Sequence, residues 1–171
     1  MTQPLVRVDN LCVDFSTEDG VVHAVQDLSF DIGRGETVGL VGESGSGKSV
    51  TALALMRLIQ APGRIRAGRI EFAGQDLASV SARAMQSLRG KRIGMIFQEP
   101  MTSLNPVYRV GDQVAEVLVR HEGMRRRAAA RRAVALLDEV GIPDPAQRAR
   151  SFPHELSGGQ RQRVMIAQAM A

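Results

Sequence analysis

The feature that most constrains the fold of this chain is a glycine-rich run at residues 42–49, which reads Gly-Glu-Ser-Gly-Ser-Gly-Lys-Ser. It fits the pattern G-x-x-x-x-G-K-[S/T]. The apolar run Thr37–Val41 precedes it and is typical of a buried strand, and the segment Val50–Ile59 that follows is typical of a helix. A strand, a glycine loop and a helix in this order are the context in which the pattern holds phosphate. The sequence therefore predicts an anion site at the start of that helix.

The residue types of this run suit a nucleotide and its metal ion. Glycine allows close approach of backbone amides to an anion, and the amides at a helix start carry positive partial charge. Lys48 adds a full charge for the outer phosphates, and the hydroxyl of Ser49 is a ligand suited to Mg²⁺. The predicted nucleotide-binding residues are Gly42, Glu43, Ser44, Gly45, Ser46, Gly47, Lys48 and Ser49, and Ser49 is also a predicted metal ligand.

A second motif, Leu-Ser-Gly-Gly-Gln at residues 156–160, lies before the helical run Arg161–Met170. Ser157 is a predicted helix N-cap, and the two glycines after it leave backbone amides bare at the helix start. A Ser-Gly-Gly sequence before a helix also fits a cap with no ligand. The predicted binding residues here are Ser157, Gly158, Gly159 and Gln160.

Together the two motifs resemble those of the nucleotide-binding domain of the ABC transporter ATPases. The resemblance implies that residues 42–49 are the Walker A motif, with ATP and Mg²⁺ as cofactors. It implies that residues 156–160 are the signature motif, which contacts the γ-phosphate of ATP held by a second ATPase subunit. The implied fold class is α/β, a P-loop NTPase (RecA-like) core with an antiparallel β-layer and a helical subdomain.

Two more residues match the family's pattern. Gln98 follows the predicted strand Arg92–Phe97 and resembles the Q-loop glutamine, which implies a catalytic and metal-binding role near the attacking water and a link to the permease. Phe15 lies where the family has an aromatic residue that stacks on adenine. An ordinary strand aromatic is the alternative interpretation of Phe15.

The run Gln98–Pro106 resembles the Q-loop of the ATPases of dipeptide and oligopeptide importers, and importers of nickel and other small solutes carry similar runs. The resemblance implies an ATP-binding subunit that couples ATP hydrolysis to peptide uptake. Its implied partners are a second ATPase subunit, identical or not, transmembrane permease subunits and, indirectly, a solute-binding protein. The implied location is peripheral, on the cytoplasmic face of the inner membrane, and the transported solute stays open.

Several parts of the family pattern are absent from residues 1–171: the Walker B strand, its catalytic glutamate and the switch histidine. Asp138 and Glu139 lie within a predicted helix and do not replace them. We therefore expect an N-terminal fragment, incomplete at its C-terminal end, with very weak hydrolysis and with residues 38–41 and 93–97 lacking neighbouring strands. Whether the chain is an enzyme stays undecided. Two alternatives remain: a non-catalytic nucleotide-binding fragment and an ABC-type ATPase of DNA repair.

The pattern along the chain predicts three parts. Residues 1–98 form the β-layer and part of the P-loop core, residues 99–155 the helical subdomain, and residues 156–171 the signature motif with the start of its helix. A turn is predicted at Glu18–Gly20 and a helix at Ala82–Leu88. An apolar helical stripe is predicted at Ala129, Ala133, Leu136, Leu137 and Val140.

Composition adds limits on the partners. The net charge is +4, and the arginines at 125–127, 131 and 132 read as a solvated helix face without interleaved aromatics, so no nucleic-acid partner is expected. Cys12 is the single cysteine, which excludes an internal disulfide. No apolar run has the length that a bilayer requires, so membrane association is expected only through a partner.

Overall fold

The computed structural model describes residues 3–97 and 103–171. They form two compact units, one ending at Met85 and the other beginning at Gln86. The three-part division at residues 98 and 155 remains a prediction.

The first unit is built on an antiparallel sheet. Its strands are β1 (Val6–Thr17), β2 (Gly20–Ile32), β3 (Gly63–Phe72) and β4 (Gln75–Asp76), in the order β2-β1-β3-β4. Neighbouring strands are antiparallel throughout. The predicted antiparallel β-layer is thereby confirmed.

The hairpin of β1 and β2 turns where the sequence predicts. Thr17 pairs with Gly20, and this register sets Asp14 opposite His23. Asn10 and Asp27 have φ values of 49° and 47° and interrupt the regular pairing. Since these irregularities bend the strands without ending them, the short strand segments predicted on each side of the turn merge into two long strands.

Two helices accompany the sheet. Helix α1 spans Lys48–Leu55, so it begins inside the glycine-rich run and ends four residues before the predicted end at Ile59. Helix α2 spans Ala82–Leu88, as predicted. The sheet and these helices bury apolar side chains together. The buried members in this unit include Val8, Leu11, Val13, Val25, Ala54, Ile70, Phe72, Leu77 and Met85.

The predicted strands at Thr37–Val41 and Arg92–Phe97 are wrong for this structure. Neither segment belongs to a sheet, and Ile93 forms only an isolated bridge with Arg89. A strand requires a neighbour for its backbone hydrogen bonds, and within residues 3–97 and 103–171 no strand pairs with either segment. Apolar side chains consequently stay in water, and Val41 is 89% exposed. The expectation that these segments lack neighbours therefore agrees with the structure.

The second unit is helical. It contains α3 (Val110–Glu122), α4 (Arg126–Glu139), the short α5 (Pro145–Arg148), a 3₁₀ turn at Pro153–Glu155, and α6 (Gly158–Met170). Helices α3, α4 and α6 pack on one another. The predicted stripe of α4 is buried in this core, with Val140 partly buried, and the core contains Leu104, Val110, Val114, Leu118, Ala129, Ala133, Leu136, Leu137, Ile142, Leu156, Val164, Met165 and Ala167.

Candidate functional site

The glycine-rich run forms a tight loop that leads into α1. Gly45 and Gly47 have φ values of 83° and 84°, in the left-handed region that favours glycine. Gly47 occupies the N-cap position of α1, and a Cβ atom there would collide with the carbonyl oxygen of Ala24 on β2. The loop therefore lies directly against the edge strand of the sheet, and only glycine permits that approach.

Lys48 closes this loop. Its Nζ donates hydrogen bonds to the carbonyl oxygens of Gly42 at 2.8 Å and Glu43 at 2.6 Å, and to Ser46 Oγ at 3.2 Å. Behind it, the buried hydroxyl of Thr51 donates to the Gly47 carbonyl at 3.0 Å. These bonds hold the ammonium group of Lys48 among two backbone carbonyls and one hydroxyl of the loop.

The start of α1 is open to an anion. No side chain among the described residues caps this helix, so its first amides are available to an outside acceptor. Ser49 lies in the first turn with an exposed side chain, and its hydroxyl makes no hydrogen bond within the described part of the chain. A free hydroxyl beside Lys48 fits the oxygen chemistry that Mg²⁺ requires.

A cleft of about 420 Å³ lies between β2 and the loop. Gly45, Ser46 and Lys48 line one part of it, and the β2 residues from His23 to Gln26 line another. The remaining lining residues are Leu28, Leu40, Val41 and Thr51. The volume suits a small organic ligand, because such pockets commonly measure about 300–1,000 Å³.

Beside the cleft, three charged or titratable side chains meet across three strands. His23 Nδ1 donates to Asp14 Oδ1 at 2.8 Å, and Arg66 Nε lies 2.9 Å from Asp14 Oδ2. The Asp14 side chain is only 3% exposed, whereas that of His23 is 49% exposed. The hydrogen bond from His23, and then the charge of Arg66, hold the pKa of Asp14 below its ordinary value although burial opposes this.

Sequence reasoning missed this cluster. A signal existed, because a turn at residues 18 and 19 sets Asp14 opposite His23 by counting back along both strands. The third member, Arg66, belongs to a strand more than 30 residues further on, and no local pattern connects it to Asp14.

Of the binding residues predicted in the first unit, only Gly45, Ser46 and Lys48 are among those that line the cleft. The Phe15 ring packs against Gly63 on β3 and is absent from the residues that line the cleft, so its stacking role stays a prediction. Gln98 lies outside the described residues, and its role also stays a prediction.

The second motif forms the start of α6, in the helical unit. Ser157 Oγ accepts a hydrogen bond from the Gln160 amide at 3.3 Å, and Gln160 Oε1 accepts from the Ser157 amide at 3.1 Å. This reciprocal pair is a capping box, which confirms the predicted N-cap. Gly158 and Gly159 are exposed, and no other group in the described part of the chain approaches the positions where their Cβ atoms would lie. The motif thus presents a bare backbone surface.

Comparison with known proteins identifies the family. The profile of the family described as "ABC transporter" matches residues 25–171, which include the glycine loop and the Ser-Gly-Gly motif. The chain belongs to the ABC transporter family. Among its described residues, no helix has the length and apolar character needed to cross a membrane.

Curated relatives of this ABC family chain carry names from peptide transport. The oligopeptide transport ATP-binding protein OppD of Bacillus subtilis (strain 168) is 54% identical over 168 residues, which cover 98% of this chain and 47% of the relative. The dipeptide transport ATP-binding protein DppD of Escherichia coli (strain K12) is 52% identical over 167 residues, which cover 98% and 51%. The chain therefore spans about half the length of the curated relatives it matches.

Solved structures of ABC cassettes share the fold. The ATP-binding cassette MJ0796, described as a dimer in a post-hydrolysis state bound to ADP and Pi, matches with a TM-score of 0.86 and 26% identity, covering 97% of this chain and 69% of that one. The protein cbiO1 of Clostridium perfringens, part of the ABC transporter complex cbiONQ, matches with a TM-score of 0.74 and 25% identity, covering 99% and 62%. The predicted P-loop NTPase fold class is thus confirmed.

Proposed function

We propose that this chain is the nucleotide-binding part of an ATP-binding subunit of an ABC importer that takes up peptides. The observation that carries the proposal is the loop at residues 42–49, where Lys48 and the uncapped start of α1 face a cleft of nucleotide size. The names of the relatives support peptides as the transported class and favour this function over DNA repair.

In this proposal the loop binds the phosphates of ATP. Backbone amides from Gly42 to Gly47 and the helix start surround the phosphate tail, and Lys48 exchanges its backbone acceptors for phosphate oxygens. Ser49 and Gln98 are the residues that would hold Mg²⁺, which supplies charge neutralisation at the phosphates when bound. The side chain of Phe15 would stack on adenine after leaving Gly63.

The exposed surface at Ser157, Gly158 and Gly159 is proposed to contact ATP held by a second ATPase subunit. The capping box occupies the amides of Ser157 and Gln160, so the amides of Gly158 and Gly159 suit a phosphate from outside the chain. The other proposed partners are permease subunits, with a solute-binding protein acting through them. Binding to the permease would hold the subunit at the cytoplasmic face of the membrane.

Calorimetry with magnesium ATP tests the core of this proposal. The wild-type chain is expected to bind, and Lys48→Ala is expected to weaken binding at least about tenfold, because a charge-assisted bond to phosphate is lost. Lys91→Ala is the matched control, since Lys91 is the one other lysine and is exposed in the helical unit. A folded wild-type sample without binding heat, or equal affinity in the Lys48 variant, would overturn the proposal.

A further inference from the structure

We propose that His23 contacts the ribose of the bound nucleotide and that Asp14 and Arg66 are positioning residues that hold its ring. The inference rests on the nucleotide-binding function proposed above and assigns one more contact in the same cleft. His23 lines this cleft together with Ser46 and Lys48.

The geometry fixes one ring nitrogen of His23 as a donor to Asp14 and leaves the other nitrogen available to a ligand. Asp14 is ionised and accepts only, so the 2.8 Å contact makes Nδ1 a donor. Within residues 3–97 and 103–171, the second nitrogen, Nε2, has no hydrogen-bond partner. The nearly buried carboxylate, held in turn by Arg66 at 2.9 Å, prevents the ring from turning away.

The ribose is the part of the nucleotide that suits this nitrogen. With Nδ1 as a donor, Nε2 is an acceptor when the ring is neutral and a donor when it is charged. One hydroxyl pairs with either form, whereas adenine would have to use its amino group for the neutral ring and a ring nitrogen for the charged one. The glycine loop already supplies groups for the phosphates, so the polar side chain on the β2 wall is left for the sugar.

Affinities for four magnesium-loaded ligands test this contact: ATP, 2′-deoxy-ATP, 3′-deoxy-ATP and inorganic tripolyphosphate. The wild-type chain is expected to prefer ATP over one of the deoxy analogues by about three- to tenfold, as one hydrogen bond would give. His23→Ala is expected to abolish that preference without changing the affinity for tripolyphosphate. His23→Gln, whose amide reaches as far as Nε2, is expected to restore part of it.

Val22→Ala is the matched control, because Val22 is the exposed neighbour of His23 on β2 and is not among the residues that line the cleft. It is expected to keep the ribose preference. Absence of any preference in the wild-type chain, an unchanged preference in His23→Ala, or an equal loss for all four ligands would overturn the inference. Lys48→Ala separates the two proposals: if it weakens tripolyphosphate binding while His23→Ala leaves the preference intact, only the ribose contact fails.

The positioning role of the carboxylate has its own readout. Asp14→Asn is expected to reduce the ribose preference in the wild-type background and to have no further effect on it in His23→Ala. Arg66→Gln should behave in the same way with a smaller effect. Asp31→Asn, on the same hairpin and paired with Arg7, is the control. An equal effect of Asp14→Asn in both backgrounds would show that Asp14 acts on the fold alone and would overturn its positioning role.

Discussion

The buried side chain of Gln113 is joined to the backbone of Asn105 by a matched pair of hydrogen bonds. Its Oε1 accepts from the Asn105 amide at 2.9 Å, and its Nε2 donates to the Asn105 carbonyl at 2.9 Å and to the Tyr108 carbonyl at 3.0 Å. A side-chain amide thereby replaces the backbone partner that an irregular segment lacks. The chain between Asn105 and Tyr108 is in this way tied to α3.

Removal of that amide should destabilise the helical unit. Gln113→Leu removes three hydrogen bonds made by a buried side chain, so the free energy of unfolding should fall by about 1–3 kcal/mol. Urea denaturation followed by circular dichroism measures it. Gln147→Leu, at an exposed position of α5, should change stability by less than about 0.5 kcal/mol. Equal stability of the two variants would contradict this account of Gln113.

The core of the same unit should respond to a cavity at Leu136. This side chain is fully buried among helices α3, α4 and α6, so Leu136→Ala should cost about 2–5 kcal/mol of unfolding free energy. Val107 is 71% exposed, and Val107→Ala is the control with an effect near zero. A thermal melt compares the two. A loss below about 1 kcal/mol for Leu136→Ala would mean that the core is packed differently.

The capping box of α6 should contribute a smaller and separable amount. Ser157→Ala removes the acceptor of the Gln160 amide, and a lost N-cap costs about 0.5–2 kcal/mol. Ser157→Thr keeps the hydroxyl and should retain most of that stability. Amide hydrogen exchange at the Gln160 amide offers a local measure, because protection there should fall only in the alanine variant.

Acid should weaken the first unit through Asp14. The pKa of this carboxyl is lowered in the folded chain, so its ionised form stabilises the fold above the ordinary value of about 4, and this contribution is lost as the pH falls through the lowered pKa. Asp14→Asn removes the contribution and should flatten the fall in stability between about pH 5 and pH 2. Denaturation curves measured across this range test the expectation.

Asp31 is the control for the predicted loss of stability at low pH. Its pKa is also lowered, first by the hydrogen bond from Arg7 and then by the charge of Arg7. Both side chains of this pair are about half exposed, so salt should screen the effect of Asp31→Asn much more than that of Asp14→Asn. The same flattening in both variants at high salt would contradict the special position of Asp14.

The exposed apolar segment before the glycine loop should promote association. Three apolar residues there are exposed and belong to no strand: Val38, Leu40 and Val41. Exposed apolar surface of this kind favours self-association, because association removes it from water. Light scattering at rising protein concentration should show self-association of the wild-type chain, reduced in Leu40→Ser and Val41→Ser. A monomer at all concentrations would count against this prediction.

The parts that the sequence determined by itself are local ones. The glycine loop, the Ser157 cap, the 18–20 turn and the α4 stripe each depend on residues within a few positions of one another, so spacing and residue type were enough to predict them. The antiparallel layer followed from the same turn chemistry.

Only the tertiary structure decided what depends on distant partners. Residues 37–41 have the composition of a strand, but a strand forms only where a neighbouring strand pairs with it. The residues of the segment do not determine whether such a neighbour is present. The group of His23, Asp14 and Arg66 required three strands in one register, and the register of β3 on β1 is set by packing over a long separation in sequence. Residues close together in the sequence determine the glycine loop, whereas pairing between distant strands forms the wall of the cleft beside it.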